Sequence, residues 1–206
     1  LLARYGRGDG MQEALYETER VNIADYGYGL NSFALSMIET AIRATDGEVA
    51  AADIQEIIKV AREMRRVPVQ LLDHVAEVVP ALAASHMLMV ISKGDLHDQE
   101  TKMARSGLAP YFTHVEIVSE KNEAVYRSLL HKHRLQAERF LMVGNSLRSD
   151  VLPVVALGGY AVHVPYHITW EHEAVAHQGD APLHYVELAH LGLLPAFVEG
   201  LGQGAG

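Results

Sequence analysis

The sequence predicts an α/β protein in which a helical domain precedes a doubly wound, mostly parallel sheet. Three observations predict it. After Leu72, short apolar runs alternate with segments of helical period, as βα units require. Before that point the pattern is helical and nothing reads as a strand. Third, three polar stretches follow apolar runs: Ser92-Lys93-Gly94-Asp95, Ser119-Glu120-Lys121, and Gly144-Asn145-Ser146-Leu147-Arg148-Ser149-Asp150. Ser92 to Lys121 is 29 residues, and Lys121 to Asp150 is another 29. Polar residues at such places stand at the carboxyl ends of parallel strands, where open α/β sheets bind ligands.

In order along the chain, Leu1 to Tyr5 read as the last turn of a helix stopped at Gly6. Three helices are expected between Met11 and Gln70. Ala14, Leu15 and Thr18, then Leu35, Ile38 and Ile42, then Ile54, Ile57, Ile58 and Ala61 recur at three- and four-residue spacing. Asp46-Gly47 breaks two of them, Asp53 caps the third and Pro68 closes it. Strands are expected at 86–91, 114–118, 140–144 and 160–164, and helices at 72–84, 98–106, 122–133, 150–157 and 187–199. Pro153 falls in the first turn of its helix, where a missing N–H costs little. The expected organisation is a helical cap at 1–71, an α/β core at 72–201 and a flexible tail at 202–206.

Composition narrows the function classes. A chain of 206 residues, 49% hydrophobic, can bury a substantial core as one large or two modest domains. No apolar run approaches the length that spans a bilayer. The absence of cysteine removes disulfides and thiolate metal sites. A formal charge of −9 opposes nucleic-acid binding, which rests on Lys and Arg neutralising phosphates, but leaves room for a small anion held by local positive groups. These features fit a cytoplasmic enzyme. Among twelve histidines, His163, His167, His172 and His177 crowd together. Pro165 keeps the first pair off a shared helical face and no second ligand set completes a zinc site, so structural or surface roles are expected. The segment 165–171 is expected to be a loop at the strand ends, walling the entrance to a site.

The polar stretches suggest chemistry. The Ser92 hydroxyl and the amide after it can donate to a phosphoryl oxygen as charge builds there. Lys121 supplies a fixed positive charge. Asp150 offers an oxygen ligand to Mg²⁺, Gly144 permits a tight turn, and Ser149 or Asp150 can cap the following helix. Lys93 and Gly94 are further candidates for substrate contact. In the helical half, Tyr26-Gly27-Tyr28-Gly29 pairs flexible backbone with flat, hydroxyl-bearing faces, which suits closure over a substrate or a plain helix connection. Glu19, Asn22 and Glu39 add polar groups that could face a cleft or solvent.

Taken together, the strand-terminal Ser92, the isolated Lys121 and the Gly144–Asp150 loop resemble the second, third and fourth motifs of the haloacid dehalogenase-like superfamily, from about Leu72 to Pro165. The resemblance implies a Rossmann-like core with a helical cap and a Mg²⁺-dependent phosphohydrolase acting on a small phosphorylated metabolite. It also implies catalytic roles for Ser92 and Lys121, metal ligation by Asp150 and Asn145, and substrate contact by Lys93, Gly94, Tyr26 and Tyr28. Two departures stand out. Asn145 occupies a position usually held by Asp, which removes one negative charge from the metal site. No Asp-x-Asp-x-Thr/Val triplet precedes Ser92, and neither Asp9 nor Asp25 follows an apolar run. By the resemblance, the nucleophile and the central first strand are expected upstream of Leu1, and the 206 residues alone are expected to be inactive. A non-catalytic phosphate-binding or regulatory domain and a dehalogenase are the alternative readings.

Overall fold

The computed structural model describes residue 5, residues 10–166 and residues 185–203. The readings of Leu1–Arg4 and of Asp9, of His167, His172 and His177, of most of the 165–171 loop and of residues 204–206 lie outside them. The chain divides into two compact units: one comprises residues 1–70 with 91–107, the other 71–90 with 108–206.

The first unit holds α1 (Met11–Tyr26), α2 (Leu30–Ala44), α3 (Ala51–Arg66) and α5 (Leu96–Ser106). Glycines set the first junction: Gly27 ends α1 at φ 72° and Gly29 opens α2 at φ 143°, backbone conformations that a Cβ disfavours. The three helices expected from periodicity form, and α1 packs on α2 largely through small and polar side chains. Leu35 and Ile42 are exposed, whereas Thr18, Asn22, Ser32, Ser36, Thr40 and Ala41 are buried. Small side chains let the two helices approach, and their hydroxyls turn back onto their own helices: Thr18 Oγ1 donates to Ala14 O at 2.9 Å and Ser36 Oγ to Ser32 O at 2.8 Å. Asn22 Nδ2 donates across the interface to Ser36 Oγ and Glu39 Oε2 at 3.1 and 3.0 Å. Asn22 and Glu39 therefore hold the helices to each other. Asp53 does not cap α3. Ala50 is the capping residue, and Asp53 lies within the first turn, accepting from the Tyr5 hydroxyl.

The second unit contains α4 (Val75–Ala83), β2 (His114–Val118), α6 (Glu123–Lys132), β3 (Leu141–Gly144), α7 (Leu152–Ala156), β4 (Tyr160–His163), β5 (Tyr185–Glu187) and α8 (Leu194–Gln203), and β1 (Met89–Lys93) begins in it. The described strands form two hydrogen-bonded groups, β1 with β2 and β3-β4-β5. Both pairings in the latter are parallel. Alternation along β4 sends successive side chains to opposite faces. Val162, with Leu141 and Val143, packs against Val78 of α4 and Leu194 of α8. On the other side lie α6 and α7, with the Tyr126 and Phe140 rings 6.4 Å apart and Tyr126, Val151 and Val154 buried. Helices thus cover both faces of a parallel sheet, the doubly wound α/β arrangement.

Several boundaries differ from expectation for identifiable reasons. The helix expected from 72 begins at Val75, because His74 takes a left-handed conformation at φ 68°. The helix expected at 187–199 is instead the strand β5 followed by a short turn and α8 from Leu194 to Gln203. Pro195 explains the start. In a helix interior its ring would clash with the carbonyl four residues back, whereas in the first turn it costs little. The helix also runs into the segment expected as a flexible tail.

Candidate active site

The loop after β3 is built around a buried carboxylate. Asp150 Oδ1 accepts from Lys121 Nζ at 2.7 Å, in an ion pair whose side chains are 12% and 6% exposed for Lys121 and Asp150. Asp150 Oδ2 accepts the Ser146 N–H at 3.0 Å, while Ser146 Oγ accepts the Ser149 N–H at 3.0 Å. Ser146 therefore caps the turn that follows it, and α7 itself starts after Val151 with no side-chain cap from Ser149 or Asp150. Residues Leu147–Val151 form a single π-turn before α7, with the Val151 N–H reaching the Ser146 carbonyl five residues back. Such turns are uncommon and recur at functional sites. The buried Tyr126 supports this one, its hydroxyl donating to Ser149 O at 2.9 Å. Pairing offsets the desolvation of both charges, and removing either partner would leave the other uncompensated.

Gly144 serves this carboxylate in a way the tight-turn reading did not anticipate. A Cβ there would lie 2.2 Å from Asp150 Oδ2 and 2.4 Å from its Cγ. The glycine makes room for Asp150 against the end of β3. Asn145, next in sequence, is exposed. Asp150 and Asn145 present oxygens, the donor type Mg²⁺ takes, and each Asp150 oxygen retains a lone pair beyond its one hydrogen bond. Among the described residues no group of three or more His, Cys, Asp or Glu could hold a metal. Mg²⁺ commonly needs only one or two carboxylates, completing its shell with waters and substrate oxygens, so the donor set fits it.

In the other unit, Ser92 is the penultimate residue of β1 and donates to Gln99 Oε1 at 2.8 Å. Gly94, at φ 139°, comes so close to Gln99 that a Cβ would lie 2.8 Å from Nε2. Asp95 caps α5 through the Asp98 N–H at 3.1 Å and accepts from Asn31 Nδ2 at 3.2 Å. Arg65 completes the cluster, with Nε 2.8 Å from Asp98 Oδ1 and Nη2 2.8 Å from Asn31 Oδ1. Gly29 passes close by, since a Cβ would sit 3.1 Å from Asp95 N. Lys93 Nζ stands 4.2 Å from the Tyr28 ring centroid, within cation–π range. Tyr26, at the end of α1, is 61% exposed.

Two sets of expected residues are thus assembled, each within its own unit: Tyr28, Lys93, Ser92 and Gly94 in one, and Lys121, Asp150 and Asn145 in the other. Gln99, Arg65, Ser146 and Tyr126 escaped the sequence reading. Gln99 lies seven residues beyond Ser92 on a helix face with no motif of its own. The Ser146–Ser149 spacing is itself a capping signal, a hydroxyl three residues ahead of the N–H it accepts.

Neither a protein-family model nor a curated protein matches the chain. Solved structures do. A haloacid dehalogenase-like family hydrolase from Xanthomonas campestris is 40% identical, with a TM-score of 0.85 over 98% of this chain and 80% of that one. The protein YfnB from Bacillus subtilis, a HAD-hydrolase by its description and bound to magnesium, is 15% identical with a TM-score of 0.64 over 93% and 83% of the two chains. A predicted phosphoglycolate phosphatase from Haemophilus somnus is 14% identical with a TM-score of 0.59 over 90% and 91%. Haloacid dehalogenases share the fold as well. At 40% identity over four-fifths of the Xanthomonas campestris protein, together with the Lys121–Asp150 pair and its loop, the chain belongs to the haloacid dehalogenase-like family of hydrolases.

Proposed function

We propose that this chain supplies the Lys121, Asp150 and Ser92 parts of a Mg²⁺-dependent phosphohydrolase that acts on a small phosphate ester through an aspartyl-phosphate. The observation that carries this reading is the buried Lys121–Asp150 pair, with Gly144 leaving space for the carboxylate and Ser146 N–H fixing its second oxygen. Asp150 and Asn145 would hold Mg²⁺, which when bound supplies positive charge to phosphoryl oxygens. Lys121 offsets repulsion between an anionic attacking group and an anionic ester. The Ser92 hydroxyl turns from Gln99 to donate to a phosphoryl oxygen. Lys93, Gly94 and the Tyr26 to Tyr28 segment contact the substrate. Family members in both the phosphatase and dehalogenase classes are consistent with the fold, and the magnesium-bound relative agrees with an oxygen-donor site.

None of the aspartates ahead of Ser92 stands in an Asp-x-Asp motif, so the 206 residues by themselves are proposed to bind a phosphoryl group without turning it over. No described helix is long and apolar enough to cross a membrane, and the protein is proposed to act in the cytoplasm. The test assays this chain and a version extended at its N-terminus by an Asp-x-Asp-bearing strand, with Mg²⁺ and a panel of aryl and sugar phosphates. Turnover confined to the extended protein and abolished by Asp150→Ala is expected. Metal-independent release of halide from 2-haloacids would favour the dehalogenase reading, and binding without turnover in both versions would favour the regulatory domain.

A further inference from the structure

The parallel register places Gly144, His163 and Glu187 in one row across the carboxyl ends of β3, β4 and β5. His163 bridges that row. Its Nε2 lies 3.1 Å from the Asn145 carbonyl oxygen and its Nδ1 2.9 Å from Glu187 Oε2. Carbonyl and carboxylate oxygens only accept, so the Asn145 contact takes its hydrogen from Nε2 and the Glu187 contact takes its hydrogen from Nδ1. The imidazole itself is only 12% exposed, whereas Glu187 is 61% exposed.

What His163 grips is one end of a single peptide plane. The other end of that plane is the Ser146 N–H, which donates to Asp150 Oδ2 at 3.0 Å. The peptide group is rigid, with its C=O and N–H pointing in opposite directions. Rotating the plane to release the carbonyl would carry the N–H away from Asp150. A hydrogen bond accepted by the carbonyl also polarises the peptide and strengthens its N–H as a donor. Glu187, His163, the Asn145–Ser146 peptide, Asp150 and Lys121 therefore form one continuous chain of polar contacts.

We infer that His163, steadied by Glu187, is a positioning residue for Asp150, acting through the Asn145–Ser146 peptide and not by touching substrate. The inference rests on the reading of Asp150 as the metal-binding carboxylate. It adds a residue that the sequence offered only as one of a crowd of histidines. It also explains how a loop carrying Asn145 in place of an acidic residue keeps its one remaining carboxylate in a fixed orientation. Supporting partners of a ligating carboxylate typically change metal affinity about 10- to 100-fold when removed.

The test compares His163→Gln with His163→Asn in the full chain. The amide nitrogen of glutamine reaches the place of Nε2 and can still donate to Asn145 O, while that of asparagine stops near Nδ1 and cannot. Any gap between the two variants therefore reads the Asn145 contact. Magnesium affinity by titration calorimetry and exchange of the Ser146 amide by NMR are the two readouts. His163→Gln is expected to stay within about twofold of the parent in Mg²⁺ affinity and His163→Asn to lose roughly tenfold, with Ser146 exchanging faster only in the asparagine variant. Equal Mg²⁺ affinity and equal Ser146 exchange in the two variants would overturn the inference. If the parent binds no Mg²⁺, the proposed function fails, and Ser146 exchange alone decides the positioning role: faster in the asparagine variant sustains it, equal rates refute it.

Discussion

Replacing Gly144 by alanine probes the packing of the site most sharply. The added Cβ would meet Asp150 Oδ2 at 2.2 Å, Cγ at 2.4 Å and Cβ at 2.6 Å, all far inside van der Waals contact. Asp150 is short and held at both oxygens, so it cannot swing aside while keeping its Lys121 and Ser146 bonds. Losing one partner of a buried ion pair costs about 3–5 kcal/mol, and the slight exposure of Lys121 argues for the lower end, about 3 kcal/mol. At this chain length each kcal/mol lowers the melting temperature by about 2–4 °C, so a fall of about 6–12 °C is expected. Circular dichroism melts of Gly144→Ala should show it, with Gly200→Ala as the control. Gly200 lies in α8 with nothing within 4 Å of an added Cβ, and alanine there should stabilise by up to about 1 kcal/mol. A Gly144→Ala protein melting within about 2 °C of the parent would refute the account of why glycine stands there.

Three further outcomes follow from the same geometry. Tyr126→Phe leaves the buried Ser149 carbonyl without its hydroxyl donor and should cost about 1–2 kcal/mol in urea unfolding, and an unchanged midpoint would show that the bond contributes nothing. Glu116 is held below the ordinary glutamate range chiefly by its hydrogen bonds from Lys132, with burial opposing and His133 assisting. A depressed carboxylate contributes stability above its unfolded pKa, near 4.5, and loses that contribution as pH falls through the folded value. Glu116→Gln should therefore destabilise at pH 7 and lose its effect progressively as pH falls below 4.5, and a pH-independent difference in unfolding midpoint would contradict the pairing. Finally, Asn145→Asp should tighten Mg²⁺ binding by adding a second carboxylate, as measured by calorimetry, and weaker binding would remove position 145 from the metal site.

How far the sequence carried the fold depends on which interaction governed each segment. Residues 114–118, apolar and bounded by turn signals, formed the strand expected of them. The two glycines around Tyr28 marked the α1–α2 junction because only positive φ serves there. Periodicity found the three helices of the first unit, and Thr18 with them, but not the rest of the α1–α2 seam, which is Asn22, Ser32, Ser36 and Thr40, polar residues that hydrophobic spacing cannot detect. Strand β5 was hidden because three residues, Tyr185-Val186-Glu187, carry too little period to announce themselves, and their pairing depends on β4 being in place. At the site, residue types were legible and their partners were not. Lys121 and Asp150 could be singled out by spacing, but the roles of Tyr126, Gln99 and His163 follow from distances between segments far apart in sequence.

The central claim, that Lys121 and Asp150 form a Mg²⁺-supported phosphoryl site, is tested most directly by titrating orthovanadate into the protein with and without Mg²⁺, in the parent and in Asp150→Asn. The account predicts saturable, Mg²⁺-dependent binding in the parent that the asparagine variant loses while its near-ultraviolet circular dichroism stays native. Binding that ignores both Mg²⁺ and Asp150, or no binding by a folded parent, would contradict it.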